Sequence, residues 1–235
     1  MNRIQSIYEN RWQNCHSLQK ASCQPKFIGE IRDEVANLLK PGIKLLDIGC
    51  GDGSITNFAR KQFAEIYGCD ISLTALSQAA GTGLNTLCAD LNADIPLPYQ
   101  NEVFSAITCL DVLEHVIDPL HLLKDIHRVL CPQGQLLLST PNIRYFRNLG
   151  QLIFKGTFPH TTDENFVWGG GHIHYFTTND LESLIRNAGF KKISFHLTRR
   201  QFLHSWKRKV LIKLTGHSIF KDWFSACLIA EVSKT

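Results

Sequence analysis

The chain has 235 residues, 44% of them hydrophobic and 20% charged, a balance that supplies a core and excludes a disordered chain. Lys and Arg number 25 against 21 Asp and Glu, so the net charge of +4 is too small to call for a nucleic-acid partner. Of the eight cysteines, Cys50, Cys69, Cys88 and Cys109 fall in or just after apolar runs and no Cys-x-x-Cys pair occurs. Reduced core thiols in the cytoplasm are therefore expected, rather than disulfides or a cysteine zinc site.

Residues 1–24 are polar, lack the apolar core of a signal peptide, and place Ile4, Ile7, Tyr8 and Trp12 near one helical face. A second helix is expected over 27–39, stopped by Pro41-Gly42. The pattern then alternates, with a strand at 43–48, a helix at 54–64, a strand at 66–69 and a helix through Ala80 capped by Ser72. Strands follow at 84–89 and 103–110. Asp118-Pro119 pairs an N-cap with proline at the first helical position, opening a helix to about residue 130, and a fifth strand spans 135–140. Apolar strands alternating with helices indicate an α/β domain, a parallel sheet covered on both faces.

From residue 141 to 176 the chain is aromatic, Gly-rich and without clear periodicity, as expected of a cap or functional loop. Thr177-x-x-Asp180 has the form of a capping box for a helix ending at Ala188-Gly189. Two strands, 192–197 and 224–232, flank a basic insertion at 199–221. There, apolar residues such as Trp206 and Leu211 recur at helical spacing among Arg199, Arg200, Lys207, Arg208, Lys209 and Lys213. Such a helix suits an anionic membrane surface or a lipid-linked acceptor, and equally suits packing over a substrate cleft. No apolar run approaches the roughly 20 residues of a membrane span. The whole of 1–235 is expected to form one domain.

The candidate chemistry begins at Gly49-Cys50-Gly51-Asp52-Gly53, which joins the first strand to the next expected helix. Glycines there permit a tight turn and let backbone N–H groups approach a ligand. A dinucleotide fingerprint needs Gly or Ala at position 54, where this chain has Ser54. Asp47, just before the loop, would repel a pyrophosphate and suits a cationic ligand. Asp70 ends the second strand, where an acid can take ribose hydroxyls, and Asp90 closes the third, where it can accept from an adenine amino group. Three acids on successive strand ends would line one crevice.

The run 45–54, Asp70, Asp90 and Asp111-Val112-Leu113-Glu114-His115-Val116 together resemble class I S-adenosylmethionine-dependent methyltransferases. The likeness is nearest the ubiquinone-biosynthesis-like and MetW-like branches, and is strengthened by Leu137–Asn142 and His172-x-His174-Tyr175-Phe176-Thr177. It implies a Rossmann-like fold with a mostly parallel seven-stranded sheet whose last strand is antiparallel. It also implies S-adenosyl-L-methionine as cofactor and S-adenosyl-L-homocysteine as product. Asp47, Gly49, Cys50, Gly51 and Gly53 would serve the methionine part, Asp70 with Ile71 the ribose side, and Asp90 with Leu91 the adenine. Leu110 and Asp111 would border the sulfonium, with Tyr8 and Trp12 closing over the ligand.

His115 stands as a candidate general base, or as a histidine that fixes its loop. His172 and His174, two apart on an extended segment, are expected on one side of it, facing the acceptor or anchoring the cap. In ubiquinone-type relatives an acid-x-x-Glu-His cluster is associated with a divalent metal. This chain has Asp111 where that cluster usually carries Glu, the shorter carboxylate counts against an ion, and none is expected. The resemblance implies methyl transfer to a small-molecule acceptor, at O or N. A cofactor-binding partner subunit without turnover, or a lipid-linked or macromolecular acceptor, are the other readings. The sequence lacks the Asn/Asp-Pro-Pro-Tyr/Phe signature of many base and glutamine methylators.

Overall fold

The computed structural model describes residues 3–17, 28–54, 56–159, 171–197 and 221–235. Two helices, α1 (Arg3–Ser17) and α2 (Ile28–Leu38), precede strand β1 (Gly42–Ile48). Then come β2 (Phe63–Asp70), α3 (Leu73–Gly81), β3 (Asn85–Cys88), β4 (Phe104–Leu110), α4 (Pro119–Val129) and β5 (Leu130–Pro141). The chain closes with α5 (Phe146–Lys155), α6 (Thr178–Asn187), β6 (Lys192–Leu197) and β7 (Cys227–Ser233).

The strands form one sheet in the order β3-β2-β1-β4-β5-β7-β6. β1 to β5 pair in parallel, while β7 runs antiparallel between β5 and β6. Both faces are apolar, and the period of two along each strand divides them. Leu46, Ile107, Leu136 and Leu138 enter one cluster with α4 and α6, while Leu45, Ala106 and Leu137 enter the other with α2. Strand order reverses between β1 and β4, so the carboxyl ends of β1, β2 and β4 open onto the crevice where such sheets bind ligands.

Local caps formed as the sequence dictates. Ser72 accepts from the Ala75 N–H at 3.2 Å, Asp118 from His121 N–H at 2.9 Å, and Thr177 with Asp180 completes a capping box. Two expectations are corrected. Residues 54–64 do not form an α-helix: a short 3-10 turn, Thr56–Lys61, leads into β2, which begins at Phe63. Residues 141–176 are not uniformly irregular, because α5 lies within them, although no described side chain of α5 is buried. The insertion at 199–221, apart from its final residue, and residues 160–170 of the expected cap lie outside the described residues. Cys50, Cys69, Cys109 and Cys227 are buried free thiols, whereas Cys88, expected in the core, is exposed on the edge strand β3.

Candidate active site

After β1 the chain turns in a loop that only glycine can make. Gly49 has φ +70°, and a Cβ on it would lie 2.4 Å from Val112 Cγ2; Gly51 has φ +52°, and its Cβ would lie 2.8 Å from Trp12 Cζ2. The loop is laced to the end of β2. Gly49 and Cys50 N–H donate to the Cys69 carbonyl at 2.8 and 3.0 Å, and Gly51 N–H donates to Asp70 Oδ2 at 3.0 Å. Asp70 Oδ1 accepts from Ser72 N–H at 2.9 Å. Burial pushes the Asp70 pKa up, and those backbone donors pull it back.

Asp47 was expected to line the crevice beside Asp70; the structure turns it inward. Its side chain is 3% exposed and accepts from Thr108 Oγ1, its register neighbour on β4, at 2.7 Å. Burial raises its pKa to about 7. Asp47 therefore braces the β1–β4 junction beneath the loop. Asp90 stands two residues beyond β3, with Oδ1 accepting from Asn92 N–H at 3.0 Å; Leu91 packs against the core. The Ile71 carbonyl accepts from Gln5 Nε2 at 3.3 Å, which ties α1 to the same edge.

The face of α1 that docks differs from the expected one. Ile7 points outward, 59% exposed, while Trp12 covers Gly51 and the Tyr8 ring stands edge-on to His115 with centroids 6.3 Å apart. Glu9, which belongs to no sequence motif, is the anchor. Its carboxylate accepts from Ser72 Oγ at 2.7 Å and from Thr74 N–H and Oγ1 at 3.0 and 2.7 Å. It thus sits at the N-terminus of α3, where a negative charge is favoured. The Thr74 hydroxyl leads the donors that hold the Glu9 pKa down. Its partners lie more than 60 residues away, which no local pattern exposes.

At the end of β4, Leu110 is 7% exposed and Asp111 adopts φ +54°, a strained value for a side-chain-bearing residue. Ser139 holds it there: Asp111 N–H donates to the Ser139 carbonyl, and Ser139 Oγ donates to Asp111 Oδ1 at 2.7 Å. A 3-10 turn, Leu113–His115, follows. Glu114 is 1% exposed, and its Oε2 accepts from Thr140 Oγ1 at 3.0 Å. Its carbonyl takes the N–H groups of Ile173 and His174 at 2.8 and 3.2 Å, binding the cap to the turn. Burial pushes both Asp111 and Glu114 up in pKa.

His115 contacts the Gly171 carbonyl through Nδ1 at 3.0 Å, and its ring lies 4.5 Å, centroid to centroid, from that of His172. Burial lowers the pKa of both, His172 to about 3 with further depression by His115 and Arg11, so both rings are neutral at physiological pH. His172 turns into the Glu114–His115 corner, while His174 directs Nε2 to the Ile117 carbonyl at 3.3 Å on the exposed side.

The glycine loop, the acids on neighbouring strand ends and the aromatic lid from α1 thus share one edge of a sheet with a single antiparallel strand. A family model described as a methyltransferase domain matches residues 22–194. The chain belongs to this methyltransferase family. The ubiquinone biosynthesis O-methyltransferase of Pseudomonas syringae pv. tomato is 34% identical over 114 residues, 47% of this chain and 48% of that one. The chain spans about half the length of the curated relatives it matches. Among solved structures, a SAM-dependent methyltransferase of Thermotoga maritima superposes with TM-score 0.62 at 20% identity, covering 88% of this chain and 90% of that one. Phosphoethanolamine N-methyltransferase 2 of Haemonchus contortus, in complex with S-adenosyl-L-methionine, gives 0.58 at 16% identity, covering 87% and 52%. At these identities the likeness is one of fold: the class I, Rossmann-like methyltransferase architecture.

Proposed function

We propose that the chain, acting over 1–235 as one domain, transfers a methyl group from S-adenosyl-L-methionine to a small-molecule acceptor, at O or N. The observation that carries the reading is the loop Gly49–Gly53, which has no side chain at its three glycine positions and is fastened to Asp70 at the switch point of the sheet. The residues fit the cofactor: a side-chain-free cradle for the methionine part lies beside a half-buried carboxylate for the ribose hydroxyls. S-adenosyl-L-methionine supplies an activated methyl on a sulfonium whose departure leaves neutral S-adenosyl-L-homocysteine.

Everything else falls to the chain's own groups. Asp70 takes the ribose hydroxyls, and Asp90, with Ile71 and Leu91 flanking, takes the adenine. Cys50 and the glycines bound the methionine part, Leu110 and Asp111 border the reacting centre, and Asp47 keeps the loop in place from below. Tyr8 and Trp12 on α1 exclude water from above. Alignment is the main source of rate in an in-line displacement. His115, neutral and facing the crevice edge beneath Tyr8, accepts the acceptor's proton. His172 supports that ring, and His174 positions the cap. The relatives' names support transfer to oxygen. Peripheral membrane contact through 199–221 is part of the proposal. It is supported by α5, which exposes Leu152, Ile153 and Phe154 near Arg147 and Lys155. The free thiols among the described residues suit a cytoplasmic setting, and among these residues no helix is long and apolar enough to cross a membrane.

Calorimetric titration of the full chain with S-adenosyl-L-homocysteine tests the cofactor half of the proposal. One site per chain, unaffected by excess NAD, is the expected result. Competition by NAD, or no binding, would count against it.

A further inference from the structure

Gln5, Glu9 and Trp12 recur at helical spacing along α1 and meet the body of the protein on one face. Gln5 Nε2 donates to the Ile71 carbonyl at 3.3 Å, Glu9 accepts from Ser72 and Thr74, and Trp12 lies over Gly51. Little apolar surface is lost to water there, because none of the described side chains of α1 is buried. Apolar burial therefore contributes little to seating the helix, and directional bonds carry more of that task. Glu9 accepts from Ser72 Oγ and Thr74 Oγ1, each at 2.7 Å, and from Thr74 N–H at 3.0 Å. The Thr74 hydroxyl leads the donors that hold its pKa down, so the carboxylate is ionised at neutral pH. Bonds to an ionised acceptor are roughly twice as strong as neutral ones.

The contacts close a ring around the acid assigned to the ribose. Glu9 holds the Ser72 hydroxyl, Ser72 N–H donates to Asp70 Oδ1, and Gly51 N–H donates to Asp70 Oδ2. Gly51 in turn lies under Trp12, one turn along α1 from Glu9. A groove of about 340 Å³, lined by Leu73, Thr74, Ser77 and Gln78, opens beside Glu9, so water can replace its bonds when the helix lifts. We propose that Glu9 is a positioning residue, a latch that holds α1 over the cofactor crevice and sets how fast the cofactor enters and leaves. The inference rests on the cofactor reading and assigns within it a residue that acts through Ser72, Thr74 and Trp12. A ligand on Gly51 and Asp70 lies beneath Trp12, and its passage requires α1 to lift and the Glu9 bonds to part. Those bonds are made to the protein itself, so the latch opposes entry and exit alike. With no preference between the filled and empty crevice, it changes rates and leaves affinity nearly alone.

The test is rapid mixing of the full chain with S-adenosyl-L-homocysteine, giving kon and koff, beside calorimetric Kd and hydrogen exchange of the α1 amides without ligand. Glu9→Ala should raise kon and koff together by about 10- to 100-fold, the worth of a hydrogen bond to a charged group, and move Kd by less than about threefold. The α1 amides should lose protection while those of the sheet keep theirs. Glu9→Gln retains an acceptor oxygen for Thr74 and should fall between Glu9→Ala and wild type. Thr74→Val, which removes a donor from the latch, should speed the same two rates. Added to Glu9→Ala it should bring little further change, since both variants break one interaction. Unchanged rates in both Glu9→Ala and Thr74→Val, a weaker Kd with kon unchanged, or fully additive effects of the pair would each overturn the proposal. Wild type that binds no S-adenosyl-L-homocysteine would sink the cofactor reading instead. The latch fails separately if α1 exchange in Glu9→Ala equals that of wild type.

Discussion

Replacing Asp70 separates a cofactor ligand from a structural acid. In the structure its two oxygens accept from Gly51 and Ser72 N–H at 3.0 and 2.9 Å, so the side chain holds the loop whether or not a ligand is present. Asp70→Ala would leave two partly buried donors without an acceptor, at about 1–3 kcal/mol each, offset by removal of a carboxylate that burial disfavours. A net loss of about 1–2 kcal/mol lowers Tm by about 2–8 °C for a chain of this size. The effect on binding is larger. Two hydroxyl bonds to a carboxylate, at about 1.5–3 kcal/mol each, total about 3–6 kcal/mol, or roughly 10²–10⁴-fold in Kd. Asp70→Asn keeps one acceptor oxygen and should fall about midway. Because the folded-state pKa is raised, wild-type affinity should decline as pH falls through it and the carboxylate gains a proton. The assay is calorimetry with S-adenosyl-L-homocysteine across pH 4.5–8. A folded Asp70→Ala variant with Kd within about threefold of wild type would refute the assignment.

Asp47, whose pKa is about 7 when folded against 3.8 for an unperturbed carboxyl, stabilises only while protonated. Its contribution is present at low pH and lost as pH rises through 7, by up to about 4 kcal/mol, and Asp47→Asn should flatten that slope in urea melts at pH 5 and 8. Gly51→Ala forces a Cβ onto Trp12 at φ +52°; it should cost about 1–2 kcal/mol in Tm measurements and displace α1, seen as a Trp fluorescence change. Ile153→Ser with Phe154→Ser, at positions 69% and 87% exposed, should leave Tm unchanged and reduce sedimentation with anionic vesicles at low salt. Equal sedimentation of wild type and variant would remove α5 from any membrane contact.

What was legible in the sequence was local or periodic. The continuous apolar runs of β1, β4 and β5 mark strands covered on both faces, and caps at Ser72, Asp118 and Thr177 act within three residues, so both could be read directly. α5 escaped although Phe146, Leu149 and Ile153 recur at helical spacing, because the helix is short and set among aromatic and glycine residues. The segment 54–64 was expected as one helix, but β2 already begins at Phe63 and Thr56–Lys61 before it form a 3-10 turn. The site was half legible. The loop and Asp70 follow from strand ends, but Glu9 on Ser72 and Thr74, and His172 on Glu114 and His115, depend on pairings that only the fold creates. Asp47 was misplaced because sequence gives a residue's place along a strand, and its inward turn depends on Thr108 of β4.

The central claim is methyl transfer to a small molecule. Its most direct test is incubation of the full chain with methyl-labelled S-adenosyl-L-methionine and a cell extract separated into small-molecule and macromolecular fractions, beside an Asp70→Ala control. Label appearing in the small-molecule fraction and lost in the control is the predicted result. Label confined to macromolecules, or a small-molecule signal equal to that of the control, would contradict it.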